Sequence, residues 1–370
     1  YDGDKYNKVK RQLAMLYHCD LYLTAAADYY LLNEASTMVE STLHIENQDC
    51  WVILPHTRPS ATISALTDIA TIKGLKPQSD KNYRAAIYLD GTAVIPYPSD
   101  IRPFTLYSGE LYSGDATSYA IGKHNNLGDK ANTMQSFILK RGYMATLAAN
   151  ADGSGYSRVF VADHEDLMVP VAPEALNRRV SSIVVKPWQY VSKKGWGNTA
   201  GNSTINKETE SIRANWFYTW SADRNNTTDL EYVPIKQHLW WPGWAQINAL
   251  ENCTHVLGYN EPEHSEQHGS AQCSCGGAIS EWSAFTHHTE FFESGMRIGS
   301  PSPTDAGWLK NYVQYCHNYA YRCDFVVTHS YWKEDIATWK KRLEDIHNAT
   351  GRPIWITEME NGASWDKPSE

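Results

Sequence analysis

Two acidic residues each follow an apolar run directly and are of the type that could share one reaction: Glu261 in His255-Val-Leu-Gly-Tyr-Asn-Glu-Pro262, and Glu358 in Pro353-Ile-Trp-Ile-Thr-Glu358. Cleavage of a glycosidic bond asks for two such carboxyl groups. One is protonated to release the leaving sugar oxygen, and the other stays ionised to attack the anomeric carbon, or to activate water if configuration is inverted. Burial and a neighbouring charge are expected to split their pKa values. Asn260, beside the first acid, is suited to hydrogen-bond the sugar 2-OH. Alone, Asn-Glu-Pro reads as a surface turn and Thr-Glu as an ordinary loop start. The aromatic cluster His329-Ser-Tyr-Trp332 between them, and a common position after apolar strands, make them a pair.

The elements that must position them follow from the pattern after Trp188. Apolar runs alternate with stretches of helical period, the sequence form of βα units and a parallel sheet. Strands are expected at 193–197, 216–220, 231–235, 255–259, 296–299, 324–328 and 353–357. Residues 308–319 and 336–347 carry apolar side chains at i, i+3, i+4 and i+7, as amphipathic helices do. The second ends at Gly351-Arg-Pro353, a helix stop followed by a strand. Polar or aromatic residues stand at the C-terminal ends of four of these strands: Thr219-Trp-Ser221, Asn260-Glu-Pro262, His329-Ser-Tyr-Trp332 and Glu358. That edge is where a (β/α)₈ TIM-type barrel builds its active site, and strands four and seven would set the carboxylates across its mouth. No eighth strand is evident in the dozen residues after the seventh.

The segments Trp216-Phe-Tyr-Thr-Trp220, Glu231-Tyr-Val-Pro-Ile235, Leu257-Gly-Tyr-Asn-Glu-Pro262, Gly299-Ser-Pro301, Asp324 to Trp332 and Trp355-Ile-Thr-Glu358 together resemble glycoside hydrolase family 128. The resemblance implies a retaining endo-β-1,3-glucanase with Glu261 as acid/base and Glu358 as nucleophile. It further implies that Trp220, Tyr259, Asn260, His329, Tyr331 and Trp332 line the cleavage subsites. Where better-known members have a short Pro-Met-Leu-Trp-Gly, this chain has Pro234-Ile-Lys-Gln-His-Leu-Trp-Trp-Pro-Gly-Trp244. His238, Trp241 and Trp244 of that longer loop are added as substrate contacts.

The preceding residues fall into two segments. Residues 1–102 alternate short β-branched runs with turns, including a hairpin signal at Asp90-Gly91, and are expected to form an all-β sandwich. Residues 103–187 hold two similar passages: Leu106 to Gly114 leading to Met134-Gln-Ser-Phe-Ile138, and Gly142 to Leu147 leading through Asp152-Gly-Ser-Gly-Tyr-Ser157 to Asn177-Arg-Arg-Val-Ser-Ser-Ile183. They read as a duplicated Greek-key unit resembling the βγ-crystallin pair, with Ser157 or Ser182 pinning the folded hairpin. The family often binds calcium through a paired Asn/Asp before x-x-Ser/Thr-Ser. Here Arg178 stands where the second oxygen ligand is wanted, so no calcium is expected. The catalytic region is taken as residues 188–370.

A net charge of −9 without a Lys/Arg-rich block disfavours nucleic acid and anionic membrane surfaces. No apolar run is long enough to span a bilayer. Of 14 tryptophans only Trp51 precedes residue 188, which concentrates flat, sugar-stacking faces in the C-terminal half. Seven cysteines are too few for a disulfide scaffold, although Cys316 and Cys323 stand close enough to bridge. His264-x₃-His268-x₄-Cys273-x-Cys275 offers zinc-ligand types at a spacing that matches no standard finger. No metal or other cofactor is therefore expected, nor an obligate protein partner. The expected partner is a polysaccharide, and the expected location secreted, periplasmic or cell-surface. Two alternatives stay open: a non-catalytic carbohydrate-binding protein on a degenerate barrel, and a retaining glycanase acting on another plant or algal polymer.

Overall fold

The structure, a computed structural model, describes residues 10–24, 29–88, 91–190, 194–197, 207–268 and 277–360. It divides into two compact units. One comprises Tyr1–Arg102 with Gln189–Ser192 and Thr227–Leu230, and the other Pro103–Trp188, Lys193–Asn226 and Glu231–Glu370.

In the first unit the strands alternate between two sheets. β1 (Lys10–Tyr17), β3 (Tyr29–Val39) and β5 (Trp51–Pro55) pair in parallel in one sheet, while β2 (Asp20–Leu23), β4 (Thr42–Ile45) and β6 (Ala70–Ile72) pair in parallel in the other. The chain thus winds in coils around a core that includes Leu23, Leu43, Ile45, Val52, Leu66 and Ile72. The helix α1 (Pro59–Ile69), part of the core, corrects the all-β sandwich expectation; the direction of pairing, which that expectation left open, is parallel within these coils. Proline at the first helical position presets φ for a helix, but only Pro59, Thr62 and Leu66 are buried along it, too thin a stripe to read against its β-branched neighbours. The hairpin signal does correspond to antiparallel β7 (Tyr83–Tyr88) and β8 (Gly91–Pro96). Gly91 is required by crowding, because a Cβ there would lie 2.2 Å from the Leu54 carbonyl oxygen on β5. The turn residues Leu89 and Asp90 lie outside the described residues.

The second unit begins with eight strands in two four-stranded sheets. β9 (Phe104–Tyr107), β10 (Ala116–Tyr119) and β12 (Ser136–Leu139) take in β15 (Leu167–Val169) from the second passage. β13 (Tyr143–Ala148), β14 (Ser157–Ala162) and β16 (Ser182–Pro187) take in β11 (Gly122–His124) from the first. Each passage lends its third strand to the other, so the pair packs as a double Greek key. Gly153 and Gly155 adopt φ of +85° and +74°, and Asp152 Oδ1 accepts hydrogen bonds from Ser154. The serines act otherwise than expected: Ser182 Oγ donates to Asn125 Oδ1, and Ser157 Oγ accepts from Arg322 Nε of the catalytic region.

Among the described residues seven strands then pair in chain order: β17 (Gly195–Gly197), β18 (Trp216–Tyr218), β19 (Glu231–Tyr232), β20 (His255–Val256), β21 (Arg297–Ile298), β22 (Val326–Ser330) and β23 (Ile354–Met359). Every pairing among them is parallel, including the bridges Ile235–Leu257 and Gly299–Phe325 that link the shorter pieces. The Trp216 indole on β18 stacks on Trp355 of β23 with centroids 4.8 Å apart, so the sheet curls to bring its second and seventh strands together. Short helices α2 (Lys207–Ser211), α3 (Trp244–Asn248) and α4 (Ser265–His268) lie between the strands, and α5 (Glu281–Thr286), α6 (Ala306–Asn318) and α7 (Ile336–Thr350) pack outside against a core of Phe285, Leu309, Tyr312 and Ile346. Asp305 and Asp335 cap the first turns of α6 and α7, and Gly351, at φ +62°, ends α7 before Pro353. Cys316 and Cys323 are unbridged, with their thiols in hydrogen-bond contact.

The Greek-key module docks on the end of this sheet where the strands begin. Thr146 Oγ1 donates to Gly295 O just before β21, and buried Lys186 donates to the carbonyls of Leu250 and Glu251 ahead of β20. A Cβ on Gly153 would meet Phe292 O at 2.8 Å. Among the described residues no helix is long and apolar enough to cross a membrane.

Candidate active site

At the opposite end, where the strands finish, Asn260 bridges to Ser302 and the chain turns sharply at Glu261, whose φ is +38°. A non-glycine residue in that region is strained and persists only when neighbours hold it. Here the Glu261 N–H donates to Ser302 O, and the His268 ring reaches the carbonyls of Asn260 and Glu261 from Nε2 at 2.7 and 3.2 Å. Both carbonyls only accept, so Nε2 carries the hydrogen; the bare Nδ1 then accepts from His238 Nδ1 at 3.0 Å. Burial and this contact push His238 down to about 4, and burial lowers His268 as well.

Glu358 is aimed by an irregularity in the ladder. Thr328 pairs with Ile356, but the next partners are His329 and Glu358, leaving Thr357 as an extra residue. Strict alternation would send Thr357 to the face occupied by Trp355; the extra residue reverses the parity and delivers Glu358. Three neutral donors hold its carboxylate: Trp220 Nε1 at 2.7 Å and Tyr218 Oη at 3.2 Å on Oε1, and Tyr331 Oη at 2.6 Å on Oε2. Burial, followed by the Glu358 charge, raises the Tyr218 phenol far above its usual value; burial and the hydrogen bond to Glu358 do the same at Tyr331, so both stay protonated donors.

One nitrogen stands between the two acids. His329 Nδ1 lies 2.8 Å from Glu261 Oε1 and 3.5 Å from Glu358 Oε2. One oxygen from each carboxyl and one ring nitrogen of His329 all fall within 4.8 Å of one another. The hydrogen bond from His329 outweighs burial and lowers the Glu261 pKa, against the expectation that burial would raise that of a general acid. Gln267 Nε2 donates to the other oxygen, Oε2, at 3.0 Å.

These groups open onto a cleft of about 940 Å³ lined by Trp220, Trp241, Asn260, Glu261, Tyr331, Trp332 and Glu358 among others. Four expected substrate contacts do not line it: His329, buried between the two acids, and three others. Tyr259 is fully buried in the helix-side core, Trp244 packs edge-on against Phe291, and His238 is engaged with His268 behind the acid turn. His264 contacts Thr304 Oγ1 and His268 the acid turn, so the two do not converge as zinc ligands; Cys273 and Cys275 lie outside the described residues. Gln267 and Tyr218 were missed. The alternation of β18, which turns Trp216 inward and therefore Tyr218 too, was an available signal for the tyrosine. Nothing local marks Gln267.

Residues 194–369 match the family model described as the glycosyl hydrolase catalytic core. Among solved structures, two forms of a GH128 (subgroup I) endo-β-1,3-glucanase from Amycolatopsis mediterranei are similar. The mutant complexed with laminaripentaose has 23% identity over 47% of this chain and 76% of that one, at a TM-score of 0.35. The other mutant has 24% identity over 45% and 72%, at a TM-score of 0.36. A βγ-crystallin domain from Flavobacterium johnsoniae has 26% identity over 22% of this chain and 92% of its own, at a TM-score of 0.20. No curated protein matches. In its C-terminal half this chain carries the catalytic core of a glycosyl hydrolase.

Proposed function

We propose that the chain is a retaining β-glucanase, an endo-β-1,3-glucanase, with Glu358 as nucleophile and Glu261 as acid/base at the mouth of a (β/α)₈-type barrel. The observation that carries this is the sharing of one His329 nitrogen by two carboxylates whose nearest atoms lie within 4.8 Å. Retention needs carboxyl groups about 5–5.5 Å apart, and inversion leaves room for a water at about 6.5–9.5 Å. Glu358 suits the nucleophile because three neutral donors orient both of its oxygens. Glu261 suits the acid/base because one of its two donors, Gln267, lines the cleft where substrate can displace it. Asn260 Oδ1 is buried without a partner, an acceptor left for a sugar hydroxyl. Trp220, Trp241 and Trp332 supply faces for stacking along a glucan, and the family-128-like motifs favour the β-1,3 linkage.

The double-displacement mechanism needs water and no cofactor. Residues 188–370 are assigned to catalysis, 103–187 to a Greek-key base and 1–102 to a separate coiled module, in a protein acting outside the cytoplasm, where its polymer is found. Reducing-sugar release from laminarin, with the anomeric configuration of the first product followed by NMR, tests the proposal. Wild type should release β-configured ends, and Glu261→Gln and Glu358→Gln should abolish release. Binding without turnover by wild type would favour a carbohydrate-binding protein, and α-configured first products would exclude retention.

A further inference from the structure

Both oxygens of the Glu261 carboxylate are occupied in the free site. Oε1 accepts from His329 Nδ1 at 2.8 Å and Oε2 from Gln267 Nε2 at 3.0 Å. A carboxylate accepting two donors is stabilised as the anion, and here one donor sits on each oxygen, the Gln267 amide on the side that faces the cleft. To act as an acid it must gain a proton, and each donor that favours the anion opposes that step. The two donors differ in their freedom to leave. His329 is fully buried on β22, inside the ladder with β23. Gln267 sits on a single-turn helix (Ser265–His268), is only partly buried, and lines the cleft.

We propose that Gln267 is a positioning residue for the acid/base, resting on the assignment of Glu261 above. Its amide adds to the hydrogen bond from His329 in holding Glu261 as an anion in the free enzyme. The sugar on the leaving-group side of the scissile bond displaces it, and Oε2 then takes a proton from solvent and faces the glycosidic oxygen. The acid is thereby armed by substrate. His329 keeps Oε1 fixed throughout, so only one oxygen changes partners. The other titratable groups around Glu261 remain in place: Tyr331 beyond β22, Glu358 on β23, Tyr218 on β18, and His264 and His268 on the loop of Gln267 itself.

The test uses the full chain and pH profiles on laminarin. The basic limb of kcat/KM reports the acid in the free enzyme, and that of kcat reports it in the complex. Loss of one hydrogen bond to a charged acceptor corresponds to about one pH unit. Gln267→Leu should therefore move the basic limb of kcat/KM up by about one unit while leaving that of kcat in place. Gln267→Glu, nearly the same shape, should move the kcat/KM limb at least as far, because a second carboxylate opposes ionisation; it also decides the matter if the leucine variant does not fold. An unmoved kcat/KM limb in an active variant, or an equal loss of rate at every pH, overturns the proposal. Retained activity in Glu261→Gln overturns it too, by removing the acid/base assignment beneath it, and that outcome is read without any Gln267 variant.

Discussion

Glu358 stands opposite His329 because Thr357 is an extra residue in β23. Remove that irregularity and the carboxylate points away from Glu261, since one residue of slip exchanges the two faces of a strand. The position of the acid in the sequence is therefore tied to the bulge. Exchanging the two residues, Thr357→Glu with Glu358→Thr, keeps the composition and moves the carboxylate by one place. Its activity should fall by on the order of 10³-fold or more, as far as Glu358→Thr alone, with an unchanged melting temperature. Activity well above that of the single substitution would show that the ladder does not aim the nucleophile.

Tyr331 supplies the shortest hydrogen bond to the proposed nucleophile, 2.6 Å to Oε2, while Trp220 and Tyr218 serve Oε1. Hydrogen bonds to charged groups are worth about 1.5–3 kcal/mol. Tyr331→Phe should lower kcat by about 10–100-fold and change KM by less than about threefold, because the lost contact orients the attacking oxygen more than it holds sugar. A rise in KM at constant kcat would instead assign Tyr331 to glycan binding.

The His238–His268 pair makes the acid turn sensitive to low pH. His268 donates to the turn through Nε2, so Nδ1 must stay bare to accept from His238. Protonating it would set two N–H groups against each other. Both histidines have pKa values lowered in the folded state, His238 to about 4. Between about pH 6.5 and 4 the unfolded chain thus binds protons that the folded one refuses, and stability falls as pH falls through that window. Wild type should be more stable than His238→Phe at pH 7, and the difference in melting temperature should shrink by pH 4.5. A difference independent of pH would show that the pair does not titrate with folding.

Legibility followed the length and regularity of the signal. The seven parallel strands and helices α6 and α7 were readable because buried strands flanked by amphipathic helices keep their apolar pattern over several residues, and Glu261 and Glu358 could be placed at their ends. Tyr259 was expected from the family resemblance alone and turned into the helix-side core; the two-residue ladder before it is too short to say which face it takes. Trp244 begins the short helix α3 (Trp244–Asn248) and is spent on Phe291 and a cation–π contact with Lys236. Gln267 acts across a turn that only tertiary packing creates, and polar residues in loops carry no period. The parallel coils of the first unit were not legible because pairing direction leaves no trace in a strand's own residues, whereas the Asp90-Gly91 hairpin was.

Lys186 ties the Greek-key module to the catalytic sheet, and its chemistry gives that junction a dependence on alkaline pH. Its ammonium is buried, donates to the carbonyls of Leu250 and Glu251, and faces no carboxylate within ion-pairing distance among the described residues. Burial is the largest influence and pushes its pKa down to about 8. An unfolded lysine titrates near 10.4, so between about pH 8 and 10.4 the unfolded chain binds more protons than the folded one. Stability contributed by this residue therefore rises with pH across that window, by on the order of 2–3 kcal/mol at most. Lys186→Met cannot titrate and leaves two carbonyls without their donor. Wild type should exceed the variant in stability by a margin that grows from pH 7.5 to pH 10, measured by chemical unfolding followed through tryptophan fluorescence of the catalytic region. A constant margin would mean that the lysine keeps its proton in the fold, and a shrinking one that its charge is what holds the two modules together.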